Sequence, residues 1–221
     1  MSREHISKMA QAVKGYYSAA KQTAAQIEKN NSRYRADIAE GENEKARQQL
    51  QQAKWEAETA IREAQEAGRA DAGKWGELHG EEMTDDAKFL QMDMDITPAQ
   101  FSNLVERYRS NGTMSALLLQ YGQRKNDEFV KNAAAGYEQS GNNAAARNGA
   151  VSIGQYDVSS ITTVEKKAGV YDRFAMSALD LISRVDQVDT FGGGIDSPML
   201  QTSIESFGEP SAFTQALFDL L

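Results

Sequence analysis

The chain has 221 residues, and its 32 acidic residues outnumber its 24 lysines and arginines, which gives a formal net charge of −8. It contains no cysteine, and this excludes a disulfide framework, thiol catalysis and a cysteine-ligated zinc site. The whole chain has three prolines, and no apolar run approaches the ~20 residues that span a bilayer. The composition therefore favours an all-α protein without a membrane segment.

The segment 1–70 predicts a coiled-coil arm, formed by one long helix or by a helical hairpin. Its apolar residues recur with spacings of three and four, with one extra four-residue step, as in a coiled coil with a stutter. A second, alanine-rich series follows from Ala46 to Ala67. Because a long helix cannot bury its apolar stripe alone, we expect the arm to pack on its own second half or on another copy. The residues expected to bind that partner are Ile6, Met9, Val13, Tyr16, Ile27, Tyr34 and Ile38.

Two features of this arm remain open. Gly41 and Asn43 suit a helix end and the next N-cap, so a hairpin could turn there. A straight helix would tolerate Gly41 at a cost of roughly 1 kcal/mol, and we favour the continuous helix. Asn31, on the apolar stripe, either fixes the register of the pairing or marks the point where the stripe turns towards solvent.

A glycine-rich segment, residues 71–83, predicts a hinge after the arm. Trp75 lies within it. Tryptophan is enriched in binding hot spots, so Trp75 is a candidate anchor for a partner. The alternative, which we favour, is that this side chain folds back onto a nearby helix.

Residues 84–136 predict a helical hairpin domain. Thr97, Pro98 and Gln100 form a strong start signal, with threonine at the N-cap, proline at the first helical position and glutamine at the third. The helix should end near Asn111, and Thr113 should cap the next one. Gly122 predicts an end or a kink of that second helix.

This hairpin carries a resemblance. The segment from Ile96-Thr97-Pro98 to Tyr121, with Asn111-Gly112-Thr113-Met114 at its turn, is similar to segments of poorly characterised helical structural or assembly proteins encoded by bacteriophages and prophages. The similarity lies mainly in residues 84–125. It implies a virion or scaffold-like component, and it transfers no catalytic residue.

The same hairpin has an alternative interpretation as a helix-turn-helix that binds DNA. Basic side chains suited to phosphate contacts are Arg107, Arg109, Arg124 and Lys125. The second helix, however, offers few side chains that read bases. DNA recognition is therefore the less favoured interpretation.

Residues 137–158 are poor in apolar side chains and rich in Asn and Gly, which predicts a flexible linker. Residues 159–221 predict a C-terminal helical domain, with regular apolar spacing from Val164 to Val185. Pro198 and Pro210 should begin its later helices. The last apolar residues either complete this domain or insert into a groove on another protein. They are Phe213, Leu217 and Phe218.

No residue pattern predicts an enzyme. The two histidines, His5 and His79, belong to no catalytic or metal-ligand motif, so we expect no catalytic residue, no metal and no cofactor.

Charge is distributed in blocks along the chain. The net charge is +5 over residues 1–35, −9 over 36–100, +2 over 101–170 and −6 over 171–221. Such blocks are usually a solvated helix surface. The functional alternative is that opposite blocks on neighbouring copies attract each other, which sets order and orientation in an assembly. With the apolar arm, this alternative leads us to expect a homo-oligomer or binding to a coat-type protein, and we expect neither a nucleic-acid nor a membrane partner.

The chain opens on polar residues rather than on a secretory signal, so we expect it in the cytoplasm of a bacterial host or within a phage particle. The predicted function is a non-enzymatic structural or assembly protein. The alternative is a soluble helical adaptor or a nucleic-acid-binding regulator.

Overall fold

A computed structural model describes residues 3–92, 94–140, 155–187, 194–211 and 214–221. Within these ranges all regular secondary structure is helical, which confirms the all-α prediction. The α-helices are α1 Glu4–Arg33, α2 Ala36–Trp75, α3 Asp86–Gln91, α4 Pro98–Arg107, α5 Gly112–Ser140, α6 Val164–Asp186, α7 Pro198–Glu205 and α8 Gln215–Phe218. Two 3₁₀ turns, Gly80–Glu82 and Val158–Ser160, connect them.

The chain forms two compact units. The first consists of Met1–Ala72 with Lys167–Leu221, and the second consists of Gly73–Lys166. The arm predicted for residues 1–70 thus shares a unit with most of the C-terminal helical domain predicted for residues 159–221.

In the first unit, α1 and α2 form an antiparallel hairpin. The chain turns at Tyr34, whose backbone is extended (φ −112°, ψ 156°). Hydrogen bonds join the helices beside this turn, and His5 Nε2 lies 2.9 Å from Asp71 Oδ2 at the other end. The favoured continuous helix is therefore wrong. The turn also does not fall at Gly41, which lies inside α2 with open space around its Cα.

The core of the first unit lies where α6 packs on the base of this hairpin. The α1 residues Ile6, Met9, Val13 and Tyr16 are buried there. The small side chains of α2 allow α6 to approach closely. A Cβ added to Gly68 would lie only 2.5 Å from the ring of Tyr171. The C-terminal segment joins the same core through Ile204 of α7 and Phe218 of α8.

The second unit is built around α4 and α5. The predicted capping box of α4 is present: the Gln100 backbone N–H donates to Thr97 Oγ1 (3.2 Å), and the Thr97 backbone N–H donates to Gln100 Oε1 (2.8 Å). Three aromatic rings form its centre. They belong to Phe101, Tyr121 and Tyr156.

Several local predictions require correction. Helix α2 continues to Trp75, through residues expected in the hinge, and α5 continues through Gly122 and through residues 137–140 of the expected linker. Gly122 is needed for packing rather than for a kink, because an added Cβ would lie 2.6 Å from Val158 Cγ1 and 2.9 Å from Phe101 Cζ.

Two helix starts also differ from expectation. Asn111, not Thr113, caps α5, since its Oδ1 accepts from the Met114 backbone N–H at 2.8 Å. Thr113 is buried and accepts from the His79 backbone N–H at 2.9 Å. Pro210 begins no helix, and the last helix begins at Gln215. Residues 141–154, the centre of the predicted linker, lie outside the described residues.

Candidate protein-interaction surfaces

The hairpin of the first unit extends beyond the helices that cover its base. We call residues 22–33 and 36–49, with the connecting turn, the distal arm. None of its residues belongs to the apolar core of the unit. Its described hydrogen bonds and ion pairs all lie within the arm itself. Within the described residues of the first unit, no third helix packs on about 20 Å of this two-helix hairpin.

Polar side chains hold the two helices of this arm together. The Asn30 Nδ2 group donates to Asn43 Oδ1 at 3.0 Å, and the Asn43 Nδ2 group donates to Asn31 Oδ1 at 2.8 Å. Asn30 and Asn43 are buried, whereas Asn31 is exposed. Asn31 thus lies at the solvent edge and still takes part in the network that fixes the pairing of the helices.

The turn of the hairpin exposes apolar and basic side chains together. Tyr34 is 49% exposed and Ile38 is 51% exposed. The neighbouring Arg33 is exposed, and the side chain of Arg35 is 89% exposed. We call these four residues the hairpin tip. Within the described residues, Tyr34 and Ile38 are thus the large exposed members of the predicted apolar series.

The other predicted partner-binding residues lie mostly inside the chain. Ile6, Met9, Val13 and Tyr16 belong to the core of the first unit, and Ile27 is half-buried. Their apolar character is explained by packing within one copy.

The remaining candidates lie near the first boundary between the units and in the last residues of the sequence. Trp75 is half-buried. A Cβ added to Gly112 would lie 1.8 Å from the Trp75 carbonyl oxygen, so the start of α5 packs closely against Trp75. Phe218 is buried in the core of the first unit, and Leu217 packs against that core. Phe213 lies outside the described residues.

A second exposed apolar cluster lies at the end of α3 in the second unit. We call Phe89, Met92 and Met94 the methionine patch. They are 47%, 71% and 45% exposed, and the Met94 backbone N–H donates to the Phe89 carbonyl at 3.4 Å, which brings the ends of the patch together. Methionine is flexible and polarizable and is over-represented on surfaces that bind proteins.

The surroundings of the methionine patch are acidic. Residues 77–95 contain seven carboxylates and one lysine, a net charge of −6. The carboxylates of Asp85 and Asp95 flank the patch in sequence and are 91% and 89% exposed. This combination of apolar side chains within an acidic segment favours a partner that is both apolar and basic.

Trp55 is an exposed tryptophan that the sequence analysis missed. It lies on α2 and is 62% exposed. The sequence contained a signal for this exposure. Trp55 lies between Ala53 and Ala57 of the second apolar series but does not share their helical spacing, so its side chain must point away from the apolar face.

A groove of about 860 Å³ lies between α6 and the C-terminal segment of the first unit. Apolar side chains line much of this groove, and both acidic and basic side chains lie at its rim. Among the lining residues are Phe174, Met176, Leu181, Phe207 and Leu217.

The basic side chains of the α4–α5 hairpin are largely engaged within their own unit. Arg107 Nη1 lies 2.8 Å from Asp86 Oδ2, and Lys125 Nζ lies 2.9 Å from Asp95 Oδ1. The Arg124 guanidinium stacks over the ring of Tyr121. Phosphate binding by these residues would compete with these contacts.

Buried polar groups serve contacts between helices. The Tyr16 hydroxyl and Lys54 both contact the carboxylate of Asp186, and burial together with that carboxylate raises the pKa of Tyr16. Burial raises the pKa of Tyr171, and the nearby Asp71 carboxylate adds to the effect. These groups connect α6 to the hairpin.

The described residues show neither a cluster of metal ligands nor a membrane-spanning helix. They contain no group of three or more His, Cys, Asp or Glu residues that could hold a metal ion. No helix among them is both long and apolar enough to cross a membrane.

The comparisons with known proteins are also negative. No family model and no curated protein matches the sequence, and no solved structure matches the fold.

Proposed function

We propose that this protein is a non-enzymatic structural or assembly protein that acts through helix–helix contacts. The distal arm is the observation that carries the proposal. Isolated helices of this length are marginal in water and gain most of their stability from packing an amphipathic face. The buried residues of the distal arm are small or polar, namely Ala39, Ala46, Asn30 and Asn43, and its tip exposes Tyr34 and Ile38. A partner that covers the tip would supply the missing burial.

The proposed setting is a bacteriophage or prophage particle, with the protein as a virion or scaffold-like component. This part rests on the similarity of residues 84–125 to helical proteins encoded beside virion genes. Trp55 is exposed and supports the proposed role in protein–protein contacts. A tryptophan that a partner buries is among the strongest contributors to the affinity of an interface.

The gene neighbourhood and a deletion test the setting together. Capsid or tail genes on either side, with a loss of complete particles after deletion, are the expected result. Neighbours unrelated to particles, with normal particle yield after deletion, would overturn it.

Photo-crosslinking tests the contact itself in the producing cells. A photoreactive amino acid at Tyr34 or Trp55 should crosslink to a protein of the assembly. The same amino acid at Glu63, an exposed position at the base of the hairpin, serves as the control. Equal crosslinking at all three positions, or none at any, would contradict the proposal.

A further inference from the structure

We infer that the partner of the hairpin tip is the methionine patch of a second copy of this chain. The inference rests on the proposed function and names one of its contacts. Both surfaces are exposed, both are apolar at their centre, and their charges are opposite. The tip belongs to the first unit, whereas the patch belongs to the second unit of another molecule.

The apolar parts of the two surfaces match in kind. The tip offers one aromatic and one branched aliphatic side chain, Tyr34 and Ile38, each about half exposed. The patch offers Phe89 with two methionines. Methionine side chains adapt to the shape of an inserted group and make favourable sulfur–aromatic contacts. A tyrosine inserted between methionines also keeps its hydroxyl at the wet edge of the contact.

The charges specify the orientation. Residues 29–38, which include the whole tip, hold three basic residues and Asp37, a net charge of +2, whereas residues 77–95 have a net charge of −6. Arg33 and Arg35 are placed on both sides of Tyr34 in sequence, and they would meet carboxylates around the patch when Tyr34 enters it. Like charges would oppose tip-to-tip or patch-to-patch pairing. Charge complementarity therefore favours the contact between a tip and a patch.

Each copy carries one tip and one patch. Two copies can therefore exchange both contacts in a closed dimer, or a single contact can leave a tip and a patch free to which further copies add, as a ring or an open chain. The two surfaces are small, so the single contact should be weak and its products should depend on concentration. Weak repeated contacts of this kind suit an assembly protein.

Sedimentation velocity on the full chain tests this inference, over concentrations from about 10 μM to about 1 mM. The wild-type sedimentation coefficient should rise with concentration and reach at least the value for a dimer. The tip variant R33E/R35E and the patch variant E81R/D85R should each remain monomeric. All four positions are exposed, so the variants should keep the wild-type helical content by circular dichroism.

Mixing the two variants distinguishes this contact from others. The tip variant retains an intact patch and the patch variant retains an intact tip, and the reversed tip and the reversed patch are also opposite in charge. An equimolar mixture should therefore associate as the wild type does. A chain that carries all four substitutions should associate again, because its charges are exchanged rather than removed. The control reversal K14E, at an exposed position of α1 away from the tip, should associate as the wild type does.

The inference is overturned if the wild type stays monomeric throughout the range, or if both charge variants associate as it does. It is also overturned if the mixture forms no dimer. Photo-crosslinking of Tyr34 to another assembly protein, with a monomeric wild type, would overturn the inference and leave the proposed function standing. A monomeric wild type with no crosslink from Tyr34 or Trp55 would overturn both the inference and the proposed function.

Discussion

Asn30 and Asn43 form a buried hydrogen bond between the two helices of the distal arm, with Asn30 Nδ2 3.0 Å from Asn43 Oδ1. Asn43 in turn donates from Nδ2 to Asn31 Oδ1 at 2.8 Å, which extends the network to the surface. Buried amides require hydrogen-bond partners. The Asn30–Asn43 pair therefore favours one register of the two helices and disfavours registers that are shifted along the helix axis. The position of the turn, and with it the exposure of the hairpin tip, depends on this contact.

The substitution Asn43→Ala should destabilise the first unit by about 1–3 kcal/mol, because it leaves the Asn30 amide buried without its partner. The midpoint of urea unfolding, followed by circular dichroism, measures the effect. Gln22→Ala removes an amide from an exposed position of the same arm and should change stability by less than about 0.5 kcal/mol. Equal effects of the two substitutions would show that the asparagine network does not hold the hairpin.

Two glycines of α2 should respond in opposite directions to the same substitution. Gly68→Ala would place a Cβ 2.5 Å from the ring of Tyr171, and overpacking of this kind costs about 1–3 kcal/mol. Gly41→Ala meets open space inside a helix and should stabilise it by about 1 kcal/mol. Thermal unfolding of the two variants checks both signs. Stabilisation by Gly68→Ala would contradict the close packing of α2 on α6.

Tyr156 should be essential for the second unit. Its ring lies 5.0 Å from that of Phe101, and its hydroxyl donates to the Ile96 carbonyl at 2.5 Å. Burial, aided by the Tyr121 hydroxyl, raises the pKa of Tyr156 to about 12. Tyr156→Ala should destabilise the unit by about 3–5 kcal/mol.

Hydrogen exchange in α4 and α5 gives the local measurement of this effect. The matched control is Phe129→Ala, which removes an aromatic ring that is 42% exposed on α5. Its effect should be within about 0.5 kcal/mol. Faster exchange in both variants alike would contradict the role given to Tyr156.

Asp172 should make the stability of the first unit dependent on acid pH. The Arg69 guanidinium, 2.7 Å away, and Gln65 hold the pKa of Asp172 below its ordinary value of 3.8. A carboxyl whose pKa is lower in the folded chain stabilises it above the unfolded pKa, and this contribution is lost as the pH falls through the folded pKa. The variant Asp172→Asn should therefore be less stable than the wild type at pH 7.

The difference between Asp172→Asn and the wild type should begin to shrink below about pH 4, as the carboxyl of the unfolded chain becomes protonated, and should be lost once the pH falls below the folded pKa of Asp172. Because Arg69 is more than half exposed, the effect should be small and should weaken with added salt. Urea unfolding at pH 7 and pH 3 measures it. A difference that is unchanged at pH 3 would contradict the ion pair as its source.

Local signals in the sequence determined the helical class and several helix starts. The Thr97–Gln100 capping box formed as predicted, because its hydrogen bonds involve neighbouring residues. The start of α7 at Pro198 followed from the proline alone. The apolar spacing of α6 also identified a helix, since its period reflects one buried face.

Tertiary structure decided the role of the glycines and of the apolar series on α1. A glycine that breaks a helix and a glycine that allows another element to approach look identical in sequence. Gly68 and Gly122 are of the second kind only because Tyr171 and Phe101 lie against them. The apolar series likewise places Ile6 and Tyr34 on one stripe. In the structure, α6 packs over Ile6 and does not cover Tyr34, which is exposed. Periodicity reports which side of a helix is apolar, whereas burial depends on how far the neighbouring helix reaches along it.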